Sequence, residues 1–217
     1  MKILFNSCCA ATFLAVLACQ PASPKPEPRV LAYFHATTLT DTLRFEVDQG
    51  DSETPPTGDT IPNRLFFTEI NPAFLQEIDY LADSASALVL GKQRFPLNDS
   101  IDACVVDIRQ AWFQHQSLLL YNKRRQTFTG RVTLAEWFGG DGGQVLTGSW
   151  ILDYDGDGRK DVVRRDIQHG LIPDGDDVRE EIYESALLLI WKGDGFVEQP
   201  ISDTSLIVKK FPIQSFW

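Results

Sequence analysis

The second half of this chain alternates apolar and polar residues, and a period of two is the mark of strands that turn one face to a core. The pattern is clearest after Ile101, where Cys104, Val106 and Ile108 alternate with Val105, Asp107 and Arg109 and predict a strand with one buried face. Residues 118–121 and 128–137 continue it, with the polar stretches 114–116 and 122–126 read as the joining turns. Segments 145–152 and 161–167 flank an Asp- and Gly-rich loop as a hairpin-like pair. Segment 178–191 opens with acidic residues that would suit a helix, but Leu187-Leu188-Leu189-Ile190-Trp191 before a Gly-Asp-Gly turn reads as a buried strand, and a strand is predicted. Shorter strands are predicted at 29–37, 42–48 and 65–69, with a Gly/Asp/Pro loop at 50–59, and 206–211 closes the sheet. The period changes once. Asn71 is a good N-cap, Pro72 takes the first helical position, and Phe74, Leu75, Ile78, Leu81 and Ala82 recur at helical spacing, so a helix near 72–83 turns that stripe to the core. The expected fold class is mainly β (β-rich α+β), an antiparallel meander with one clear helix.

The amino terminus follows a different logic. Lys2 gives a short basic start, 3–17 is mostly apolar and small residues precede Cys19, the layout of a secretory signal. The apolar run is shorter than the ~20 residues that span a bilayer. Val16-Leu17-Ala18-Cys19 resembles the bacterial lipobox, and the resemblance implies a signal peptide over 1–18 and a lipid on Cys19. Gln20 stands where an Asp would retain such a lipoprotein at the inner membrane, so an outer-membrane anchor is expected. Residues 21–28, PASPKPEP, favour extended polyproline II over packing, which makes 19–28 a tether and 29–217 a single globular domain.

Charge and cysteine usage narrow the partners. The formal charge is −10, and one unit more negative without Lys2, so nucleic acid and anionic lipid surfaces are unsuitable partners. Cys8 and Cys9 leave with the signal and Cys19 is acylated, so no disulfide framework remains. Cys104 lies in an apolar run and is expected to be a buried, inert thiol.

Candidate chemistry concentrates in Asp153-Tyr154-Asp155-Gly156-Asp157-Gly158-Arg159-Lys160-Asp161, with carboxylates at loop positions 1, 3, 5 and 9 and glycine at 6. That is a calcium-ligand spacing: alternate residues of a tightly curled loop aim hard oxygens at one point, position 7 offers a backbone carbonyl, and glycine permits the sharp turn. The bidentate Glu that completes an EF-hand at position 12 is replaced by Arg164, so a modest affinity is expected. The run from Trp150 to Val163 resembles the calcium loop of FG-GAP or VCBS-type repeats, the integrin-α-like module in which an Asp-rich loop joins two strands. The resemblance extends weakly to the Trp191-Lys192-Gly193-Asp194-Gly195-Phe196 turn, and it implies Ca2+ ligands at Asp153, Asp155, Asp157 and Asp161 with the Arg159 carbonyl as a fifth. One copy is present, since the segments around Asp174 and Asp141 lack the full spacing, and one loop on a small domain is expected rather than a propeller.

Other residues point to bland roles. His35, His115 and His169 show no zinc spacing and read as surface or turn histidines. Ser149 lacks the second glycine of a GxSxG elbow and reads as a strand residue. Trp112, Trp137, Trp150 and Trp191 lie in or beside apolar runs and are expected in the core rather than on a sugar-stacking platform. The basic stretch 122–126 reads as a solvated hairpin tip. Together these features predict a lipid-anchored, calcium-binding, non-catalytic module of the bacterial envelope with a protein or glycan partner. Two rivals stand beside it: a carbohydrate-binding module, which would expose two or more tryptophans on one face, and a hydrolase using calcium for rigidity, which would show a nucleophile or isolated carboxylate cluster in a cleft away from Asp153.

Overall fold

The computed structural model describes residues 26–39, 41–47, 56–76, 78, 81, 84–140, 142–175 and 177–214; the lipobox and Cys19 lie outside them. A 3-10 turn, Arg29–Tyr33, opens the body and is followed by β1 (His35–Ala36), β2 (Leu43–Phe45), β3 (Asp59–Thr60) and two short helices, α1 (Asn63–Glu69) and α2 (Pro72–Gln76). An antiparallel meander follows: β4 (Leu88–Pro96), β5 (Ile101–Gln110), β6 (Phe113–Asn122), β7 (Thr127–Gly140), β8 (Gly143–Leu152), β9 (Asp161–Asp174), β10 (Asp177–Lys192) and β11 (Gly195–Gln199). Helix α3 (Ser205–Lys210) comes last. The strands form one sheet, in which β1 runs parallel to β4, β3 also pairs with β4, and β2 pairs with β8. The β-rich expectation holds.

Several local expectations fail for one physical reason. Val30, Leu31 and Phe34, Phe66 and Ile70, and Ile207 and Phe211 are buried at spacings of three and four, a helical period that a short run does not distinguish from a buried strand. Segments 29–37, 65–69 and 206–211 are therefore largely helical rather than extended. The helix expected at 72–83 begins as read, with the Asn71 side chain accepting the Ala73 N–H at 3.0 Å, but stops at Gln76. Ile78 and Leu81 continue by i→i+3 bonds and still reach the core, while Ala82 lies outside the described residues. The stretch 114–116 is not a turn but the buried middle of β6.

Strand β5 is covered on both faces rather than one. Cys104, Val106 and Ile108 join Val30, Leu31, Phe34, Phe66 and Ile70 under the helical segment. Ala103 and Val105 face the other way and share a cluster with Phe45, Leu118, Leu120, Leu134, Ile151, Val162 and Trp191. Register explains this second core. His115 stands opposite Glu136, Glu136 opposite Thr147 and Thr147 opposite Asp166, so by alternation Ile151 and Val162 occupy the sheet face of His115, not that of Ala103. A flat sheet could not unite them. The ladder between β7 and β8 ends at Glu136–Thr147, and beyond it β2 takes the edge of β8, with Leu43 opposite Ile151 and Phe45 opposite Ser149. Below this split the lower halves of β8–β10 pass behind β4–β7 and press one face against the other's back. Ser149 Oγ spans the gap and donates to the Leu134 carbonyl at 2.5 Å. A third cluster, Trp150, Val163, Leu188 and Ile190, lies under Ile207 and Phe211 at α3. Arg165, also buried, fastens that helix by donating Nη1 to the Val208 and Phe211 carbonyls at 2.9 Å each.

Candidate functional site

The aspartate loop joins the buried ends of β8 and β9 and holds its shape through its own carboxylates. Asp153 accepts the Gly156 and Gly158 N–H groups at 2.8 and 3.0 Å, and Asp155 accepts that of Asp157 at 3.2 Å. Gly156 and Gly158 have φ of +80° and +83°, which side chains rarely tolerate. Asp161 is 1% exposed and ties the loop to the sheet: Oδ1 accepts the Trp191 N–H at 2.8 Å and Oδ2 the Tyr154 N–H at 3.0 Å. One carboxylate oxygen each from Asp153, Asp155 and Asp161 lies within 4.8 Å of the others. A cation at 2.3–2.6 Å from each ligand holds oxygens about this far apart, so the donor set and spacing fit a hard divalent ion. Carboxylate pairs 4 Å apart repel by about 1 kcal/mol in water and about 4 kcal/mol at an effective dielectric of 20, a cost that a cation reverses.

Asp157 stands apart from that trio. Its carboxylate accepts the Arg159 backbone N–H and Nε–H, both at 2.8 Å, and a further bond from Nη2; the Arg159 contacts hold the carboxyl below its ordinary range. Of the predicted ligands, the structure thus brings together Asp153, Asp155 and Asp161 and closes Asp157 onto the Arg159 side chain. Arg164, at the position of the missing Glu, reaches Asp166 instead, Nε to Oδ2 at 3.3 Å.

A second polar constellation lies on the same sheet, above the split. Residues from β7 to β10 line a groove of about 870 Å³, among them Arg131, Thr133, Glu136, Arg164, Asp166 and Tyr183. Beneath it His115, expected at the surface, is completely buried in β6. Its Nδ1 lies 2.5 Å from Glu136 Oε2, and its Nε2 lies 2.6 Å from Ser117 Oγ. Arg131 Nη1 donates to Thr133 Oγ1 at 2.9 Å and to Ser117 Oγ at 3.1 Å, and it lies 3.1 Å from His115 Nε2. Burial, outweighing the attraction of Glu136, holds the imidazole pKa below its usual 6.5, so the ring is neutral at pH 7. With a carboxylate at Nδ1, the ring proton sits there and Nε2 accepts. Thr147 Oγ1 continues the row by donating to Asp166 Oδ1 at 2.7 Å. The sequence carried a signal for this site: His115 and Ser117 fall at the period of two that joins Phe113 to Leu119 and Tyr121, but Gln114 and Gln116 beside them make the stretch read as a turn.

The remaining candidates resolve simply. Cys104 is buried, and loss of solvent pushes its thiol up to about 12. Ser149 is a strand residue with its hydroxyl satisfied. Trp150 and Trp191 are in the core and Trp137 is half-buried, but Trp112 stands 73% exposed in the β5–β6 turn, contrary to expectation. His35 is exposed beside Asp59, and His169 meets Glu180 at 2.5 Å. No helix among the described residues is long and apolar enough to cross a membrane. No family model matches the chain, and neither a curated protein nor a solved structure does.

Proposed function

We propose that this chain is a calcium-stabilised β-domain of the bacterial envelope, held by a lipid on Cys19 and presenting its polar groove to a ligand. The observation that carries the reading is the convergence of Asp153, Asp155 and Asp161 in a loop whose spacing is that of a calcium site. The ion would act as a clip rather than a switch. Asp161 already binds the β10 backbone, so a cation there fixes the loop against the Trp191 end of the core without rebuilding it. With three carboxylates and Arg164 in place of the completing Glu, affinity falls in the range of extracellular modules, roughly 10⁻⁴ to 10⁻³ M. The tether 19–28 would let the domain stand up to roughly 30 Å from the bilayer at the 3.1 Å per residue of polyproline II. Among Trp112, Trp137, Trp150 and Trp191 only Trp112 is exposed, which speaks against a stacking platform for glycans.

Calorimetric titration of the purified full chain with calcium tests the metal assignment, with a sub-millimolar to millimolar Kd as the expected result and no heat of binding at 10 mM calcium as the contrary one. Labelled fatty acid supplied to cells tests the anchor. Cys19→Ser is expected to abolish both labelling and membrane retention, and labelling that survives the substitution contradicts it.

A further inference from the structure

We propose that Ser117, His115 and Glu136 form an acyl-transfer centre beneath the polar groove, with Ser117 as nucleophile, His115 as general base, Glu136 as the carboxylate that orients it, and Arg131 as a gate that binds the carbonyl oxygen. It concerns a site separate from the aspartate loop and stands whether or not calcium binds there.

The geometry places each group by register. His115 and Ser117 are two residues apart on one face of β6, and Glu136 of β7 is directly opposite His115. The β6–β7 ladder shifts register between Gln116 and Ser117, so Leu134 is bulged out and Thr133 comes opposite Ser117. Bulges that re-aim side chains are common beside reacting groups. A nucleophile on a base that is itself oriented by a third group is the arrangement that activates a hydroxyl. Here the two links are 2.6 and 2.5 Å, and the neutral imidazole has its acceptor nitrogen toward Ser117. The charged groups that act on His115 are Glu136 and Arg131 from β7, on its own face of the sheet, and Asp107 from β5, which the register puts on the other face.

Access runs through Arg131. Ser117 is 1% exposed, whereas Arg131, Thr133 and Glu136 line the groove, and Arg131 Nη1 holds the serine hydroxyl from the groove side. A substrate carbonyl oxygen offers that guanidinium a new acceptor, so binding draws the gate from Ser117 to the oxygen on which negative charge develops. The groove is lined mainly by polar and charged side chains, with Phe138, Val145 and Ile172 as its apolar exceptions. That suits an ester of a polar alcohol with a short acyl group.

The chemistry balances without a cofactor. Ser117 Oγ bonds to the ester carbonyl carbon as its proton passes to His115 Nε2; the carbon–alkoxy bond then breaks and the alcohol leaves with that proton. Water repeats the sequence on the acyl-serine. It gives a proton to Nε2 as its oxygen bonds to the acyl carbon, and Ser117 recovers the proton as the Oγ–carbon bond breaks, releasing the acid.

The test uses the full chain in detergent with a fluorophosphonate probe, read by intact mass and peptide mapping, and p-nitrophenyl acetate as substrate. Expected are a single adduct on Ser117, loss of adduct and turnover in Ser117→Ala, and labelling at least 100-fold slower in His115→Gln, the scale of general-base catalysis. Ser117→Cys guards against a probe that cannot enter: its thiol is expected to be alkylated by iodoacetamide near pH 7, with a rate that depends on His115, while Cys104 in the same chain stays unmodified. The proposal is overturned if Ser117 is unlabelled in both the wild type and Arg131→Ala and the thiol introduced by Ser117→Cys is as inert as Cys104.

Discussion

Nine consecutive residues supply every carboxylate of the aspartate loop, whereas the polar groove takes His115 and Ser117 from β6, Arg131 and Glu136 from β7, Thr147 from β8 and Asp166 from β9. The loop's shape is local. Its glycines, its turns and most of its hydrogen bonds close within eight residues, with Asp161 fastened to β10 and Lys160 donating to the Asp41 carbonyl as its long-range ties. The groove is the reverse, because its charged and hydrogen-bonded groups come from four strands and their contacts depend on strand register. A one-residue slip of β6 against β7 would turn His115 to the opposite face and leave Glu136 without its partner. The loop can therefore be assembled wherever two strands end, while the groove exists only if the whole meander is in register.

The largest expected effect separates the loop's one buried aspartate from its exposed ones. Asp161→Ala removes the acceptor of two backbone donors, the buried Trp191 N–H and the part-buried Tyr154 N–H, and leaving the buried one unsatisfied costs about 1–3 kcal/mol. This loss is expected in chelator as well as in calcium, by urea unfolding. Asp157→Ala, whose partners are the exposed backbone N–H and guanidinium of Arg159, is expected to move the chelator midpoint far less; equal losses from the two substitutions would erase the distinction drawn between them.

The groove is expected to show itself through pH. The folded His115 imidazole is held below 6.5 by burial, so as pH falls through 6.5 the unfolded chain gains a proton that the folded chain refuses, and stability drops by up to about 1.4 kcal/mol per pH unit until the folded pKa is reached. Glu136 and Arg131 face the ring and Asp107 acts on it from the other face of the sheet; of the three only Arg131 adds to the lowering. Melting curves from pH 7.5 to 5.5 are expected to fall more steeply for the wild type than for His115→Gln, and parallel slopes would mean that the ring titrates freely.

Much of this was legible in the sequence wherever structure was set by neighbours along the chain. The β-rich class, the strand pair around the aspartate loop and the burial of Cys104 all follow from local alternation or spacing. What escaped was of two kinds. Phe66 with Ile70, and Ile207 with Phe211, sit in runs too short for a period of four to be told from a buried strand. His115 and Ser117 escaped because their burial depends on Glu136 and Arg131, which lie 14 to 21 residues away. The second core face of β5 was hidden for the same reason, since it is covered by strands that return only after the β7–β8 split.

Two smaller effects refine the contrast. Gly156→Ala places a side chain at φ +80° with no atom within 4 Å of its Cβ, so the expected cost of about 1 kcal/mol is conformational alone and should appear in chelator as in calcium. Cys104 is expected to resist thiol reagents at pH 8 in the native chain and to react on unfolding. A thiol with a pKa of about 12 is roughly one part in 10⁴ thiolate at that pH, and native reactivity on the unfolded timescale would mean that the β5 core opens readily.

A calcium ion held by Asp153, Asp155 and Asp161 would stabilise the fold, so thermal melting of the full chain in 10 mM calcium against excess chelator reads the ion's presence without any substitution. At a Kd of roughly 10⁻⁴ to 10⁻³ M the bound state gains about 1.4–2.7 kcal/mol, a rise of roughly 3–10 °C in Tm. The rise is expected to vanish in Asp155→Ala and to persist in Asp157→Ala, whose carboxylate is turned to Arg159. A midpoint that is the same in calcium and chelator for the wild type would mean that the aspartate loop holds no stabilising ion.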